Sequence, residues 1–200
     1  MRSSFWGLLL LASCAMTESP KPSAAFPGRT LVDFADADEP ARWTTVLDGV
    51  MGGRSTGSFV VEGDRMVFTG VLNTNGGGFS SVRRPSEGLG LGQAGESGIH
   101  LRVRGDGRTY TLRLRQPTED RRFAASYRAT FPTQADDSWQ DVFVPYADLV
   151  PTWRGRTLDL PAVDPAKVDE IGLSIDDKID GPFRIDVRWI GAGTAAGNGG

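Results

Sequence analysis

The sequence has very little of the side chains on which many enzymes and metal proteins depend. It contains one histidine, His100, and one cysteine, Cys14, in 200 residues. A single histidine leaves no basis for a His-based metal site, and a single cysteine excludes an internal disulfide. We therefore predict no catalytic residue, no metal site and no cofactor.

The chain also lacks an excess of positive charge and a long apolar run. Its formal net charge is −3 at pH 7, whereas nucleic-acid-binding domains are usually basic. The apolar run at the N-terminus, Phe5 to Leu11, is too short to span a membrane. Neither nucleic-acid binding nor a transmembrane helix is predicted.

The first residues have the pattern of a cleaved export signal. Arg2 precedes the apolar run, and "LASC" at Leu11 to Cys14 resembles a bacterial lipobox, in which the cysteine is acylated. We expect a signal peptide over 1–13, a lipidated Cys14 and a flexible tether over 14–28, rich in Pro, Ser and Ala. This places the protein in the bacterial cell envelope, on the periplasmic or extracellular face. The alternative is a general secretory signal with an incidental cysteine.

Most of the chain alternates apolar and polar residues at period two, with turn residues about every ten positions. This pattern predicts an all-β domain over 29–191, an antiparallel β-sandwich, and a disordered Gly-rich tail over 192–200. Tyr146 to Leu149 and Asp164 to Val168 have the pattern of single helical turns. The predicted strands are 29–34, 43–48, 56–62, 65–72, 79–84, 98–104, 109–115, 123–131, 139–144, 169–175 and 183–190.

Two of these strands, 98–104 and 109–115, flank the short turn Gly105 to Arg108 and are predicted to pair as a hairpin. That pairing puts the apolar side chains on one face and four arginines on the other. Like charges on neighbouring strands need neutralising. The face is therefore either an anion or partner site or a solvated surface balanced by Asp186, Glu170 or Asp141. The four arginines are Arg102, Arg104, Arg113 and Arg115.

The stretch "DGVMGGRSTGSF" over residues 48–59 is rich in glycine, as phosphate-binding loops are. It lacks the lysine of such loops, and it is followed by a strand instead of a helix. The segment "GLGQAG" over 90–95 is also followed by a strand. We predict a shaped connection whose glycines, Gly49 among them, supply special backbone angles. Its apolar residues either plug the edge of the sandwich or contact a partner. The candidate partner-binding residues of this loop are Asp48, Met51, Gly52, Gly53, Arg54 and Ser55.

Carboxylates cluster over Asp33 to Glu39 and over Asp176 to Asp180. Oxygen ligands of this kind could hold Ca²⁺, but neither cluster has the spacing of an EF-hand loop. We favour acidic loops without a metal. A hydrolase that uses Asp176 or Asp177 is the least favoured functional class.

Six segments resemble the complex I intermediate-associated protein 30 family, and the resemblance runs from about Trp43 to Ile190. Its most specific part is "DGVMGG" followed later by "RGDGR". It implies a jelly roll of the galactose-binding-domain-like type, related in shape to some carbohydrate-binding modules. Mitochondrial members act as assembly factors for respiratory complex I and are not known as enzymes. The segments are "DGVMGGRSTGSF", "GGFSSVR", "LRVRGDGRTYTLRLR", "YRATF", "WQDVFVPYADLVPTWRGR" and "VDEIGLSIDDKIDGPFRIDV".

These observations together predict a noncatalytic interaction or assembly module tethered to the bacterial envelope. The expected partner is a protein in the envelope or in an assembly like a respiratory complex, with the membrane reached through the lipid anchor. The alternative is a carbohydrate-binding module, in which the arginines and exposed aromatics such as Trp153 would contact a sugar.

Overall fold

The computed structural model describes residues 28–119 and 122–195, which form two antiparallel β-sheets packed face to face. The predicted signal peptide, Cys14 and nearly all of the predicted tether lie outside the described residues, as do residues 196–200. Within the described ranges there is no α-helix. No helix there is long and apolar enough to cross a membrane.

The strands follow one another with short connections and four 3₁₀ turns in the described part of the chain. The turns are Pro40–Arg42, Asp48–Met51, Tyr146–Asp148 and Pro165–Lys167. The strands are β1 (Gly28–Asp33), β2 (Thr44–Leu47), β3 (Thr56–Glu62), β4 (Arg65–Leu72), β5 (Ser80–Pro85), β6 (Gly98–Arg104), β7 (Thr109–Pro117), β8 (Ala124–Pro132), β9 (Gln140–Pro145), β10 (Val150–Trp153), β11 (Arg156–Thr157), β12 (Glu170–Ile175) and β13 (Gly181–Gly193).

The six-stranded sheet has the order β3-β4-β13-β6-β9, and β1 pairs with the far end of β13. The seven-stranded sheet has the order β11-β10-β8-β7-β12-β5-β2. The inward side chains of both sheets, among them Phe68, Leu101, Leu112, Leu173 and Ile185, are fully buried between them. The period-two pattern places the apolar side chains on one side of each strand, and the structure buries that side between the two sheets. The predicted antiparallel β-sandwich is therefore confirmed.

All eleven predicted strands are present, with ends shifted by at most three residues, whereas β10 and β11 were not predicted. β3 and β4 form a tight hairpin, in which Glu62 pairs with Arg65. Both predicted single turns are present as 3₁₀ turns. The sandwich extends slightly past its predicted limits, because Gly28 pairs with Gly193. The first two residues of the predicted tail therefore belong to β13.

The predicted hairpin between β6 and β7 is wrong. β6 pairs with β13 and β9 in the six-stranded sheet, whereas β7 pairs with β8 and β12 in the seven-stranded sheet. The segment 105–108 crosses between the sheets, with Gly105 packed so closely on Thr133 that a Cβ would lie 2.2 Å from its hydroxyl oxygen. Strands that face each other across a core need the same alternation as strands that pair, so the pattern could not separate the two arrangements.

A β-bulge in β13 changes the side on which its last residues lie. The register on β6 shifts between Val187 and Trp189, after which Ile190 pairs with Leu101. Ile190 and Ala192 therefore enter the core, while Trp189 lies on the outer side opposite Arg102 and remains partly exposed. Strict alternation over 183–190 would place Trp189 on the same face as Phe183, and the bulge reverses that alternation.

Candidate functional site

The loop Asp48–Ser55, called the motif loop below, carries the chain from β2 in one sheet to β3 in the other. Asp48 is fully buried at its start. Its carboxylate accepts hydrogen bonds from the Ser55 amide at 3.0 Å and the Ser55 hydroxyl at 2.6 Å. It also accepts from the amides of Gly78 at 2.7 Å and Phe79 at 3.3 Å. The two Gly-rich segments of the sequence thus meet around one carboxylate.

Two opposing effects set the charge state of Asp48. Burial alone would raise the pKa of its carboxyl group. The hydrogen bonds from the Ser55 hydroxyl and from the Gly78, Phe79 and Ser55 amides outweigh burial and lower the pKa below its ordinary value. Within the motif loop, the Ser55 amide is thus paired with this carboxylate, and the Gly52 and Gly53 amides donate to the carbonyl oxygens of Gly49 and Asp48, so these three amides are not available to a phosphate.

The three glycines of the motif loop have different roles. Gly52 has φ of +86° where the 3₁₀ turn ends, a left-handed angle that favours glycine. At Gly53 a Cβ would lie 2.2 Å from the Asp48 carboxyl carbon, so a side chain would displace the buried carboxylate. Gly49 has no close neighbour, and neither Gly49 nor Gly53 has a positive φ, so the prediction of special backbone angles is wrong at these two positions.

The motif loop is held firmly from inside but presents an apolar side chain to solvent. Met51 is 64% exposed, so the interpretation of this methionine as a plug for the sandwich edge is wrong. Arg54 is exposed and has no ion pair within the described residues. Ile179, 59% exposed, belongs to the acidic segment that reaches the same end of the sandwich, where Asp180 accepts a hydrogen bond from the Thr74 amide at 2.6 Å.

Sequence reasoning missed Arg108, which fixes that acidic segment. Its guanidinium donates to both carboxylate oxygens of Asp177 at 2.9 and 2.6 Å, and to the carbonyl oxygens of Gly181 and Pro182. Arg108 is the last residue of "RGDGR", so the available signal was the motif itself. The arginine locks the segment between β12 and β13 onto the segment between β6 and β7.

Two further residues of the acidic clusters form ion pairs within the fold. Asp176 pairs with Arg128, and Glu39 of the first cluster is buried in an ion pair with Arg84 at 2.6 Å. Across residues 28–119 and 122–195, no three His, Cys, Asp or Glu side chains come close enough to hold a metal ion.

The four predicted arginines do not form one face. Arg102 and Arg104 project from the outer side of the six-stranded sheet, and Arg113 and Arg115 from the outer side of the seven-stranded sheet. The core separates the two pairs. The prediction fails for the same reason as the β6–β7 hairpin on which it depended.

Each of these arginines is paired with a carboxylate on a neighbouring strand or loop. The alternative interpretation, in which Asp186, Glu170 and Asp141 balance the arginines, is therefore confirmed for these three acids. The pairs are Arg102–Asp141 at 2.7 Å, Arg104–Asp186 at 2.6 Å, Arg113–Glu170 at 2.6 Å and Arg115–Asp169 at 2.8 Å.

Two further arginines, Arg83 on β5 and Arg128 on β8, join Arg113 on the outer side of the seven-stranded sheet. Arg128 pairs directly opposite Arg113, and Arg83 pairs opposite Gly172, which in turn pairs opposite Arg113. Sequence reasoning found the four strands concerned but not their order. Only the sheet register brings these residues into one row.

An apolar groove of about 1180 Å³ opens at one end of the sandwich. Phe123 lies in its wall and contacts the ring of Trp153 at 5.2 Å between centroids. Trp153 is 39% exposed on β10, near the edge of the seven-stranded sheet. The predicted aromatic side chain is therefore accessible, but it does not share a surface with Arg102 and Arg104.

The chain is similar in sequence to proteins named complex I intermediate-associated protein 30. The chain is 36% identical over 99 residues to mouse complex I intermediate-associated protein 30, mitochondrial, a match that covers 48% of this chain and 30% of the relative. It is 33% identical over 97 residues to the probable Caenorhabditis elegans protein of that name, covering 48% and 28%. The matched segments span under a third of these relatives' length.

Among solved structures, the fold is similar to a family 11 carbohydrate-binding module from Clostridium thermocellum in complex with a mixed-linked tetrasaccharide. The TM-score is 0.60 at 14% identity, over 85% of this chain and 98% of that one. At this identity the likeness concerns the fold, and the expected galactose-binding-like jelly roll is confirmed.

The family model of complex I intermediate-associated protein 30 matches residues 32–187, nearly the whole sandwich. The chain therefore belongs to the complex I intermediate-associated protein 30 family.

Proposed function

We propose that this domain is a noncatalytic module that binds a protein partner through its motif loop and supports assembly of a membrane-associated complex. The observation that carries this proposal is Met51, an apolar side chain 64% exposed on a turn that the buried Asp48 holds in place. A rigid loop loses little conformational entropy on binding, and an exposed methionine offers apolar area to a partner. The names of the relatives suggest a respiratory complex as the assembly.

The acidic residues give little support to a catalytic role. Burial would raise the pKa of the Asp177 carboxyl, but its hydrogen bond with Arg108, with smaller contributions, lowers the pKa below its ordinary value. An acid held ionised in this way is a poor proton donor, and Asp176 is engaged by Arg128. Both carboxylates serve to fix loops instead.

We also propose that a lipid on Cys14 holds the module in the bacterial cell envelope, on its periplasmic or extracellular side. The support comes from the "LASC" sequence and from the Pro-, Ser- and Ala-rich segment that follows it. A tethered module samples partners in the same membrane at a raised effective concentration.

Affinity purification of the intact protein from membranes tests the proposed function. Subunits of one membrane-bound complex should co-purify with the wild type, and Met51→Ser should reduce their recovery strongly. Val60→Ser is the matched control, because Val60 is 53% exposed but lies within β3, away from the motif loop. Equal recovery with both variants would show that the motif loop is not the docking surface.

The second candidate is carbohydrate binding, which the accessible Trp153 and its contact with Phe123 at the groove favour. Aromatic side chains offer flat apolar surfaces on which sugar rings can pack. A glycan array decides this: specific binding that Trp153→Ala abolishes and Met51→Ser retains would replace protein binding as the leading function.

A further inference from the structure

β3 leaves one side of its main chain without a partner strand. It is the first strand of the six-stranded sheet and pairs only with β4. On its other side, no main-chain hydrogen bond reaches β3 from any segment that the structure describes. Its inward side chains Phe59 and Val61 are only partly buried, whereas the inward Met66 and Phe68 of β4 are fully buried. The six-stranded sheet is therefore open at β3.

β3 also lacks the features that usually keep an exposed edge strand from pairing. Such strands carry proline, lysine or a β-bulge, or they are very short. β3 is seven residues long, its pairing with β4 has no register shift, and its sequence "TGSFVVE" contains neither proline nor a basic residue. Val60, on its outward side, is 53% exposed. Nothing in the strand itself opposes pairing with a further extended chain.

The other edge strands of the described chain are protected. β1 has a register shift between Thr30 and Val32, and β9 carries Asp141 and ends at Pro145. β2 has four residues, and β11 has two. Since edges without such protection invite pairing, its absence at β3 alone favours a partner strand at this edge.

A second copy of the chain offers a strand that matches β3 in length and charge. Two identical strands pair antiparallel about a two-fold axis, which keeps outward side chains on the same side of the joined sheet. With Ser58 on that axis, Thr56 lies opposite Val60 of the second copy. Arg54, two positions before β3, then comes opposite Glu62 of the second copy.

This register gives Arg54 a counter-charge. Arg54 is exposed and has no ion pair within residues 28–119 and 122–195. The Glu62 side chain is 49% exposed and pairs with Arg65 at 2.7 Å. Arg65 has a second carboxylate partner in Asp186, so Glu62 can accept from another guanidinium without leaving Arg65 unpaired. The two-fold axis forms this pair twice, once at each end of the shared edge.

We propose that the protein forms a dimer in which β3 pairs antiparallel with β3 of a second copy, with an Arg54–Glu62 pair at each end. Main-chain hydrogen bonds then join the two six-stranded sheets into one. The second copy thereby contributes Glu62 to the motif loop. This inference stands independently of the proposed binding of a protein partner.

The dimer is compatible with the proposed lipid anchor. Because the two copies run antiparallel, their Gly28 residues lie at opposite ends of the joined sheet. Both anchors reach one bilayer when that sheet lies along the membrane.

Light scattering during size-exclusion chromatography of the full chain, in detergent so that a lipid anchor stays soluble, tests the dimer. The wild type should change from monomer to dimer as its concentration rises. Val60→Lys places a charge on the edge strand and should raise the dissociation constant about tenfold or more. Val150→Lys is the control, because Val150 is 46% exposed but β10 is paired on both sides. This control should dimerise like the wild type.

A charge exchange tests the register. Arg54→Glu places a carboxylate opposite Glu62 of the second copy and should weaken the dimer. Adding Glu62→Arg restores opposite charges at both ends and should recover most of the lost association. Arg156→Glu is the control: it makes the same change in charge on β11, where Arg156 is exposed and has no ion pair in the described ranges. It should leave the dimer unchanged.

Further readouts separate association from folding and from partner binding. The melting temperatures of Val60→Lys and Arg54→Glu, measured on the dilute monomer, should match that of the wild type, because both side chains are exposed. Val60→Ser adds no charge and should weaken the dimer less than Val60→Lys. Met51→Ser should not change the dimer, so failure of the motif loop as a docking surface and failure of this dimer give different results.

Three outcomes would overturn the proposal. A wild type that stays monomeric at millimolar concentration does not form this dimer. Equal weakening by Val60→Lys and Val150→Lys would show that the association does not involve β3. A double exchange at Arg54 and Glu62 that fails to recover association would contradict the pairing of these two residues and, with it, the register.

Discussion

Asp48 and Gly78 are joined by a hydrogen bond of 2.7 Å between a buried carboxylate and a backbone amide thirty residues further along the chain. The bond connects the motif loop to the segment between β4 and β5. Because β2 and β3 belong to different sheets, this carboxylate also stabilises a crossing from one layer of the sandwich to the other.

Asp48→Ala should lower the free energy of unfolding by about 2 kcal/mol or more, because it leaves buried amides of Gly78 and Ser55 unpaired. Urea denaturation measures the change. Asp159→Ala is the control, since Asp159 is exposed and has no hydrogen bond in the described residues. Equal effects of the two substitutions would contradict a structural role for the Asp48 carboxylate.

The Asp48 contribution should also depend on pH. Its pKa lies below the ordinary value of 3.8 in the folded protein. The stabilisation is therefore fully present above the unfolded-state pKa and is lost as the pH falls through the folded-state pKa. The difference in unfolding free energy between wild type and Asp48→Asn should shrink as the pH is lowered below 3.8. A difference that stays constant would show that the charge is not what stabilises the loop.

Two substitutions in adjacent positions of the motif loop should differ in how much they lower the free energy of unfolding. Met51→Ser should change the unfolding free energy by less than about 0.5 kcal/mol, because the side chain is mostly exposed. Gly52→Val should cost more than about 1 kcal/mol, because valine is strained at a φ of +86°. Thermal or urea unfolding gives both values. A costly Met51→Ser would restore the interpretation of Met51 as a plug.

Arg113 and Arg102 should differ in their effect on stability, although both are paired. The Arg113 and Glu170 side chains are 11% and 16% exposed, so Arg113→Ala should cost about 2 kcal/mol or more by leaving a nearly buried carboxylate unpaired. Asp141, the partner of Arg102, is 49% exposed, and Arg102→Ala should cost about 1 kcal/mol or less. Similar costs would mean that burial does not determine the strength of these pairs.

Cys14→Ala should release the protein from membranes or leave its signal peptide uncut, while the circular dichroism of the domain remains unchanged. The lipid on Cys14 would be the anchor, so the substitution removes it without touching the sandwich. Cell fractionation with an N-terminal sequence of the product is the measurement. A variant that is processed and still membrane-bound would disprove the lipid anchor.

The alternation of apolar and polar residues was sufficient to find every strand of the described chain except β10 and β11, and, apart from the end of β13, the side of each predicted strand that enters the core. Leu101 of β6 and Leu112 of β7, predicted to share one apolar face, are both fully buried in the core. What the alternation could not determine is which strands are neighbours, because pairing depends on contacts between distant segments. The bulge before Trp189 was likewise invisible, since one extra residue leaves the composition of the strand unchanged.

Of the candidate sites, the one built from neighbouring residues was predicted, and the one built from distant segments was not. The motif loop was located by its glycines, and the importance of Gly52 followed from the chemistry of that residue type. The row of Arg83, Gly172 and Arg113 was not found, because these residues come from three strands that are far apart in the sequence. Only the sheet register shows that the two arginines flank one glycine.

The pairing of Gly28 with Gly193 has a geometric consequence for a lipid-anchored protein. β13 runs from Gly181 to Gly193. Gly181 lies beside Arg108, near the motif loop. Gly193 lies beside Gly28, the first described residue. At about 3.3 Å per residue, these two poles are about 40 Å apart. A lipid anchor upstream of Gly28 would therefore attach at the pole of the sandwich opposite Met51, so the tether would leave the motif loop uncovered.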